Sequence, residues 1–128
     1  MKITNCIILG FTLCMRTVAG NDRPAGVADS GNGFLSACQY STSENSYTAG
    51  LCQGYVRGVS DAVDALFRLT ARAQPEAIPL FCIPKDSTNH QILDVVIKFV
   101  KEHPEKRHAP TKFLVLDSLI EAFPCSSK

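Results

Sequence analysis

The chain holds no uninterrupted apolar run of the roughly 20 residues that a membrane-spanning helix needs, since Arg16 breaks the one stretch that begins to resemble it. Charge of neither sign dominates. Thirteen basic residues stand against twelve acidic ones, for a formal net charge of +1, which removes any electrostatic case for a nucleic-acid partner. Closely paired cysteines are absent. His103 and His108 are separated by Pro104 and five positions, so neither C-x-x-C pairs nor a helical His pair offers a zinc site. There is no glycine-rich phosphate loop and no G-x-S-x-G elbow. Asp61 and Asp64 lie one helical turn apart, but such a pair is the ordinary make-up of a solvated helix face. These absences leave no metal, no cofactor and no catalytic group, and the sequence reads as that of a non-enzyme.

What is present begins with a leader. Lys2 precedes an apolar core of Ile7, Ile8, Leu9, Phe11 and Leu13, and Val18-Ala19-Gly20 supplies small residues for cleavage after Gly20. Residues 1–20 are therefore expected to be a signal peptide. Its removal takes Lys2, Arg16, Cys6 and Cys14 with it, leaving 11 basic against 12 acidic residues and four cysteines: Cys38, Cys52, Cys82 and Cys125. An even cysteine number in a small exported chain points to two disulfides formed in an oxidising compartment, and it makes a cysteine nucleophile paired with His90, His103 or His108 a poor reading. No membrane association is expected once the leader is gone.

Residues 21–32 carry Gly, Pro, Asp and Ser without an apolar period, and are expected to form a flexible N-terminal segment ahead of a domain over 33–125. Phe34, Leu35 and Cys38 suit a short first helix, and the polar residues 41–46 a loop. From Ser46 to Arg72 apolar residues repeat at three and four: Leu51, Cys52, Tyr55, Val56, Val59, Ala62, Val63, Leu66 and Phe67. Gly54 and Gly58 sit four apart on this helix and cost about 1 kcal/mol each in propensity, so they are expected to admit close packing of another helix.

Two prolines break the pattern at 75 and 79, and Leu80-Phe81-Cys82-Ile83-Pro84 is expected to be extended and buried. Thr88 and Gln91 have the form of a capping box. The third helix that follows should bury Ile92, Val95, Val96, Phe99, Val100 and His103 and stop near Glu102, because Pro104 disfavours helical geometry at His103. Pro110 fits the first position of a fourth helix whose buried face is Phe113, Leu116, Leu119, Ile120 and Phe123. The fold class is thus all-α, a small bundle of about four helices with two disulfides. Four cysteines permit three connectivities. Adjacency favours Cys38 with Cys52 and Cys82 with Cys125, since each pair brackets a hairpin-like turn.

Several of these features recur together in one known family. Cys52-x-x-Tyr55-x-x-Gly58, then Phe81-Cys82-x-Pro84, Gln91, Val95-Val96, His103-Pro104-Glu105 and Ala122-Phe123-Pro124-Cys125, resembles the Rap/Tai immunity proteins that guard bacteria against type VI secretion effectors. The resemblance covers Leu35 to Cys125. It implies a periplasmic, disulfide-bonded helical protein, commonly a homodimer, that binds a peptidoglycan amidase and occludes its cleft. By the same resemblance the partner-binding candidates are the polar side of the third helix and the charged loop Glu102, His103, Glu105, Lys106, Arg107 and His108. A general periplasmic binding or chaperone-like helical module with no toxin partner is the alternative reading.

Overall fold

The computed structural model describes residues 26, 27, 29–39 and 46–125. The expected leader with Cys6 and Cys14, the start of the expected flexible segment and the loop at 41–45 lie outside the described residues. Among the described residues four α-helices make up the fold: α1 (Gly31–Cys38), α2 (Ser46–Ala73), α3 (Asn89–Glu102) and α4 (Thr111–Ala122). A single 3-10 turn, Pro104–Lys106, joins α3 to α4. No strand occurs among the described residues. The core is built from Phe34 and Leu35 of α1, Val56 of α2, five residues of α3 (Ile92, Leu93, Val96, Phe99 and Val100), and Leu114, Val115 and Leu119 of α4.

Both disulfides join neighbouring cysteines in the chain. Cys38–Cys52 ties α1 to α2, and Cys82–Cys125 ties the segment after α2 to the end of α4, with Cα separations of 5.8 and 5.0 Å. On loop-closure entropy alone, loops of 14 and 43 residues contribute about 3 and 4 kcal/mol. Beside the second disulfide, the Cys82 N–H donates to the Phe123 carbonyl at 2.8 Å.

The helix starts and stops follow local chemistry. At α3, the Thr88 hydroxyl accepts from the Gln91 N–H at 3.2 Å while the Gln91 side chain accepts from the Thr88 N–H at 2.8 Å, which completes the capping box. The helix ends at Glu102, before Pro104. α1 begins at Gly31, earlier than the expected boundary at Gly33, because the Ser30 hydroxyl accepts from the Gly33 N–H and caps the helix. Gly31 is required there. A Cβ at that position would sit 2.5 Å from Leu114 Cδ1 and 3.1 Å from both Val100 and the Arg107 Cα.

Three expectations about packing are corrected. First, α4 turns a different face inward: Thr111, Leu114, Val115, Ser118 and Leu119 are buried, whereas Phe113 and Ile120 are exposed. The helix is apolar almost all round, so periodicity alone does not select a face, and small Thr111 and Ser118 permit the closest approach to the core. Second, Phe81 and Ile83 are half-buried, but Leu80, Cys82 and Pro84 face outward, so the segment 80–84 buries alternate residues rather than all of them. Third, Gly54 and Gly58 admit no neighbouring helix among the described residues: a Cβ at Gly50, Gly54 or Gly58 would find no atom of them within 4 Å. α2 is 28 residues, about 42 Å, long, and it outruns the core that covers it. Cys52, Val56 and Ser60 are buried and Val59, Val63 and Phe67 half-buried, but Leu51, Ala62 and Leu66 are exposed.

Candidate partner-binding surface

The junction between α3 and α4 carries the six candidate residues, and its backbone is fixed from two sides. The last carbonyls of α3 lack helical partners. Arg107 supplies them: its Nε–H donates to the Val100 carbonyl at 2.8 Å and its Nη2 to the Lys101 carbonyl at 2.6 Å. The cation also stands at the negative end of the α3 dipole. From the other side, the first N–H groups of α1 donate into the same loop, Gly31 to the Ala109 carbonyl at 3.2 Å and Asn32 to the Arg107 carbonyl at 3.1 Å. The loop thereby satisfies one helix C-terminus and one helix N-terminus together.

His103 and Lys106 close over Phe99. The His103 ring stacks on the Phe99 ring with centroids 4.2 Å apart, and Lys106 Nζ lies 5.0 Å from the Phe99 centroid. His103 Nδ1 is 2.8 Å from the Phe99 carbonyl, and since a carbonyl can only accept, that nitrogen carries the proton. His103, Lys106 and Arg107 are half-buried, while Glu102, Glu105 and His108 are exposed. Glu102 has only a long contact of 4.0 Å to Lys98, a solvated pair of little energetic weight. Next to Glu102 a shallow groove of about 220 Å³ runs between α3 and α4, with Val95 and Phe99 on one wall and Ser118 and Ala122 on the other.

A larger groove, about 530 Å³, lies between the outer half of α2 and the segment after it. Phe67, Phe81 and Ile83 form its apolar part. Its α2 wall carries two ion pairs, Arg57 Nε to Asp61 at 2.8 Å and Arg68 Nε to Asp64 at 2.6 Å. Arg57 also reaches across to Asn89 Oδ1 at 3.1 Å. Bonding to Asp64 holds the Arg68 guanidinium still more firmly protonated. Sequence reasoning did not find this groove. Its signal was the pair Pro79 and Pro84 bounding apolar residues opposite a helix that continues past its core.

No group of three or more His, Cys, Asp or Glu side chains able to hold a metal occurs among the described residues. No described helix is long and apolar enough to cross a membrane. Burial, and secondarily the Asp29 carboxylate, raise the Tyr55 hydroxyl above its usual pKa of 10.0.

The described residues thus form an all-helical domain closed by two disulfides, with exposed carboxylates on a clamped interhelical loop. A family model of Rap1a immunity proteins matches residues 30–125. The chain belongs to the Rap1a immunity proteins. No curated protein and no solved structure matches it. The match begins at Ser30, the α1 cap, and ends at Cys125, the second half of the outer disulfide, so it spans all four helices. As a Rap1a immunity protein the chain is expected to bind an effector protein, and the two disulfides fit a secreted or periplasmic setting.

Proposed function

We propose that this Rap1a protein is exported to the periplasm by a cleaved leader over residues 1–20, and there neutralises a peptidoglycan amidase delivered by a type VI secretion system. It acts by binding the amidase and occluding its cleft, with no reaction of its own, and it works as a homodimer. The observation that carries the reading is the family match over the whole four-helix, disulfide-bonded unit. The junction loop supports it, because a loop held at both ends loses little conformational freedom when it meets a partner. Within that loop, Glu102, Glu105 and His108 are the residues proposed to touch the effector. His103, Lys106 and Arg107 shape the loop through their contacts with Phe99, Val100 and Lys101.

The test is co-expression with an amidase encoded beside this gene and directed to the periplasm. The wild-type chain should prevent lysis. A chain carrying Glu102→Ala, Glu105→Ala and His108→Ala should fail to do so while its denaturation curve stays at the wild-type midpoint. Full protection by the triple variant would move the interface away from the loop. Absence of any neighbouring amidase, together with no binding of amidases at micromolar concentration, would end the amidase assignment.

The exposed apolar residues along α2, together with Ile78 and Leu80, favour a second reading, a chaperone-like periplasmic module. It predicts that the purified chain suppresses aggregation of unrelated unfolded proteins. The immunity reading predicts no such effect.

A further inference from the structure

Along residues 77–84 burial alternates strictly. Ala77, Pro79, Phe81 and Ile83 are half-buried, while Ile78, Leu80, Cys82 and Pro84 are exposed. A period of two is that of an extended strand, in which the backbone N–H and C=O groups of successive residues point to opposite edges. The edge of Cys82 is taken: its N–H donates to the Phe123 carbonyl at 2.8 Å, and its side chain is bonded to Cys125. The edge of Phe81 and Ile83 is open. Neither residue's N–H nor its C=O makes a hydrogen bond among the described residues. This edge borders the groove of about 530 Å³ that Phe67, Phe81 and Ile83 line, to which no described residue of α4 contributes.

We infer that an extended segment of the effector protein lies in this groove and adds a strand to the Phe81–Ile83 edge. The inference rests on the effector-binding role that family membership implies, and it depends neither on the effector's being an amidase nor on the junction loop. A standard interface takes roughly 20–30 residues a side, and the loop presents three exposed side chains, so a second contact is needed. The groove reaches Ile92 near the start of α3, and the loop follows its end. The two sites are thus about 20 Å apart along the helix, close enough for one partner to reach both.

The chemistry of the edge specifies the occupant. Unpaired N–H and C=O groups repeating every second residue are matched by another extended backbone, which is how a strand is added to an existing edge. Pro79 has no N–H, so the row of donors ends at Phe81 and the added strand is short. Two strands alone are marginal, but α2 lies behind this pair and supports it. Side chains of the added strand that share the face of Phe81 and Ile83 turn towards Phe67, so apolar residues two apart fit there. On the α2 wall Arg57 pairs with Asp61 and Arg68 with Asp64. Lys85, also in the lining, makes no ion pair among the described residues, and it suits a carboxylate at one end of the segment.

Residue-resolved amide hydrogen exchange tests this on the oxidised full chain, alone and bound to the effector protein encoded beside this gene. The Phe81 and Ile83 amides should exchange fast in the free chain and at least about tenfold more slowly in the complex. The Cys82 amide, already bonded to Phe123, is the internal reference and should be protected in both. Ile83→Pro keeps an extended backbone but removes one donor, and should weaken effector binding about tenfold. Ile83→Val keeps the donor and should bind within about twofold of the wild type. If Ile83→Pro fails to fold, the exchange measurement on the wild type decides alone. A complex in which Phe81 and Ile83 exchange as fast as in the free chain would overturn the site and leave the immunity reading standing. Protection that appears in the free chain and grows with its concentration would give the edge to a second copy and overturn the inference. Failure of the effector to bind at all would instead sink the immunity reading, and this site with it.

Discussion

Replacing Arg107 with alanine should cost about 2 kcal/mol of stability, although Arg107 sits in a charged loop where sequence alone assigns it to recognition. Two charge-assisted hydrogen bonds are lost, to Val100 at 2.8 Å and Lys101 at 2.6 Å, and both acceptors are carbonyls that the helix itself cannot satisfy. Buried bonds to a charged donor are worth about 1.5–3 kcal/mol each. The Val100 bond is partly buried and keeps most of that value, while the Lys101 bond is open to water, which replaces much of it. The sum near 2 kcal/mol corresponds to a fall of about 1 M in the urea midpoint, taking the slope usual for small proteins. Arg107→Lys should recover only part, because it restores the charge at the α3 C-terminus but not the two-pronged geometry. His108→Ala is the control, since the His108 side chain is exposed and makes no hydrogen bond among the described residues. Its midpoint should move by less than about 0.5 kcal/mol equivalent. Equal midpoints for Arg107→Ala and His108→Ala would refute the assignment of Arg107 as a cap.

Removing the Cys82–Cys125 disulfide with Cys82→Ser and Cys125→Ser together should lower unfolding free energy by about 4 kcal/mol, and dithiothreitol, which reduces Cys38–Cys52 as well, should lower the wild-type melting temperature further than the double substitution does. Gly31→Ala should cost about 1–3 kcal/mol in denaturant titrations, because the added methyl meets Leu114 and the Arg107 backbone at once. Thr111→Val should be neutral or stabilising by about 1 kcal/mol, since the buried Thr111 hydroxyl has no hydrogen-bond partner among the described residues; a loss of more than that would mean the hydroxyl is satisfied. The raised pKa of Tyr55 means the folded state favours the neutral phenol. Its contribution to stability is complete below pH 10 and is lost as pH climbs through the higher folded value, so Tyr55→Phe should flatten the alkaline limb of a stability profile, and an unchanged limb would count against it.

The helices α2, α3 and their ends were legible because they depend on neighbours in the chain. Thr88 and Gln91 cap α3 across one turn, and Pro104 ends it locally. The cysteine pairing was legible for the same reason, each partner being the next cysteine along. Contacts set by the third dimension were not. Gly-Asn-Gly at 31–33 reads as loop, yet Ser30 caps a helix there and Gly31 fits beneath Leu114. Periodicity marked the apolar side of α2 but could not say that the core ends before the helix does. It failed outright on α4, where apolar residues surround the axis and Thr111 and Ser118 proved to be inside. In the candidate loop, charge was legible and use was not. Arg107 contacts a carbonyl seven positions back, and the exposure that separates Glu105 from Lys106 depends on Phe99 lying beneath one of them.

The next-neighbour pairing of the four cysteines has a bearing on how the molecule is made. A chain threaded through a membrane with its N-terminus leading would present Cys38, Cys52, Cys82 and Cys125 to an oxidant in that order. If each newly arrived thiol joins the free one that came before it, Cys52 closes on Cys38, and Cys125 later closes on Cys82. Both native bonds then form without reshuffling. An interlaced pattern would have needed an isomerase to undo the first bond. The connectivity that clamps the finished bundle is thus also the one that a vectorial, one-pass oxidation delivers.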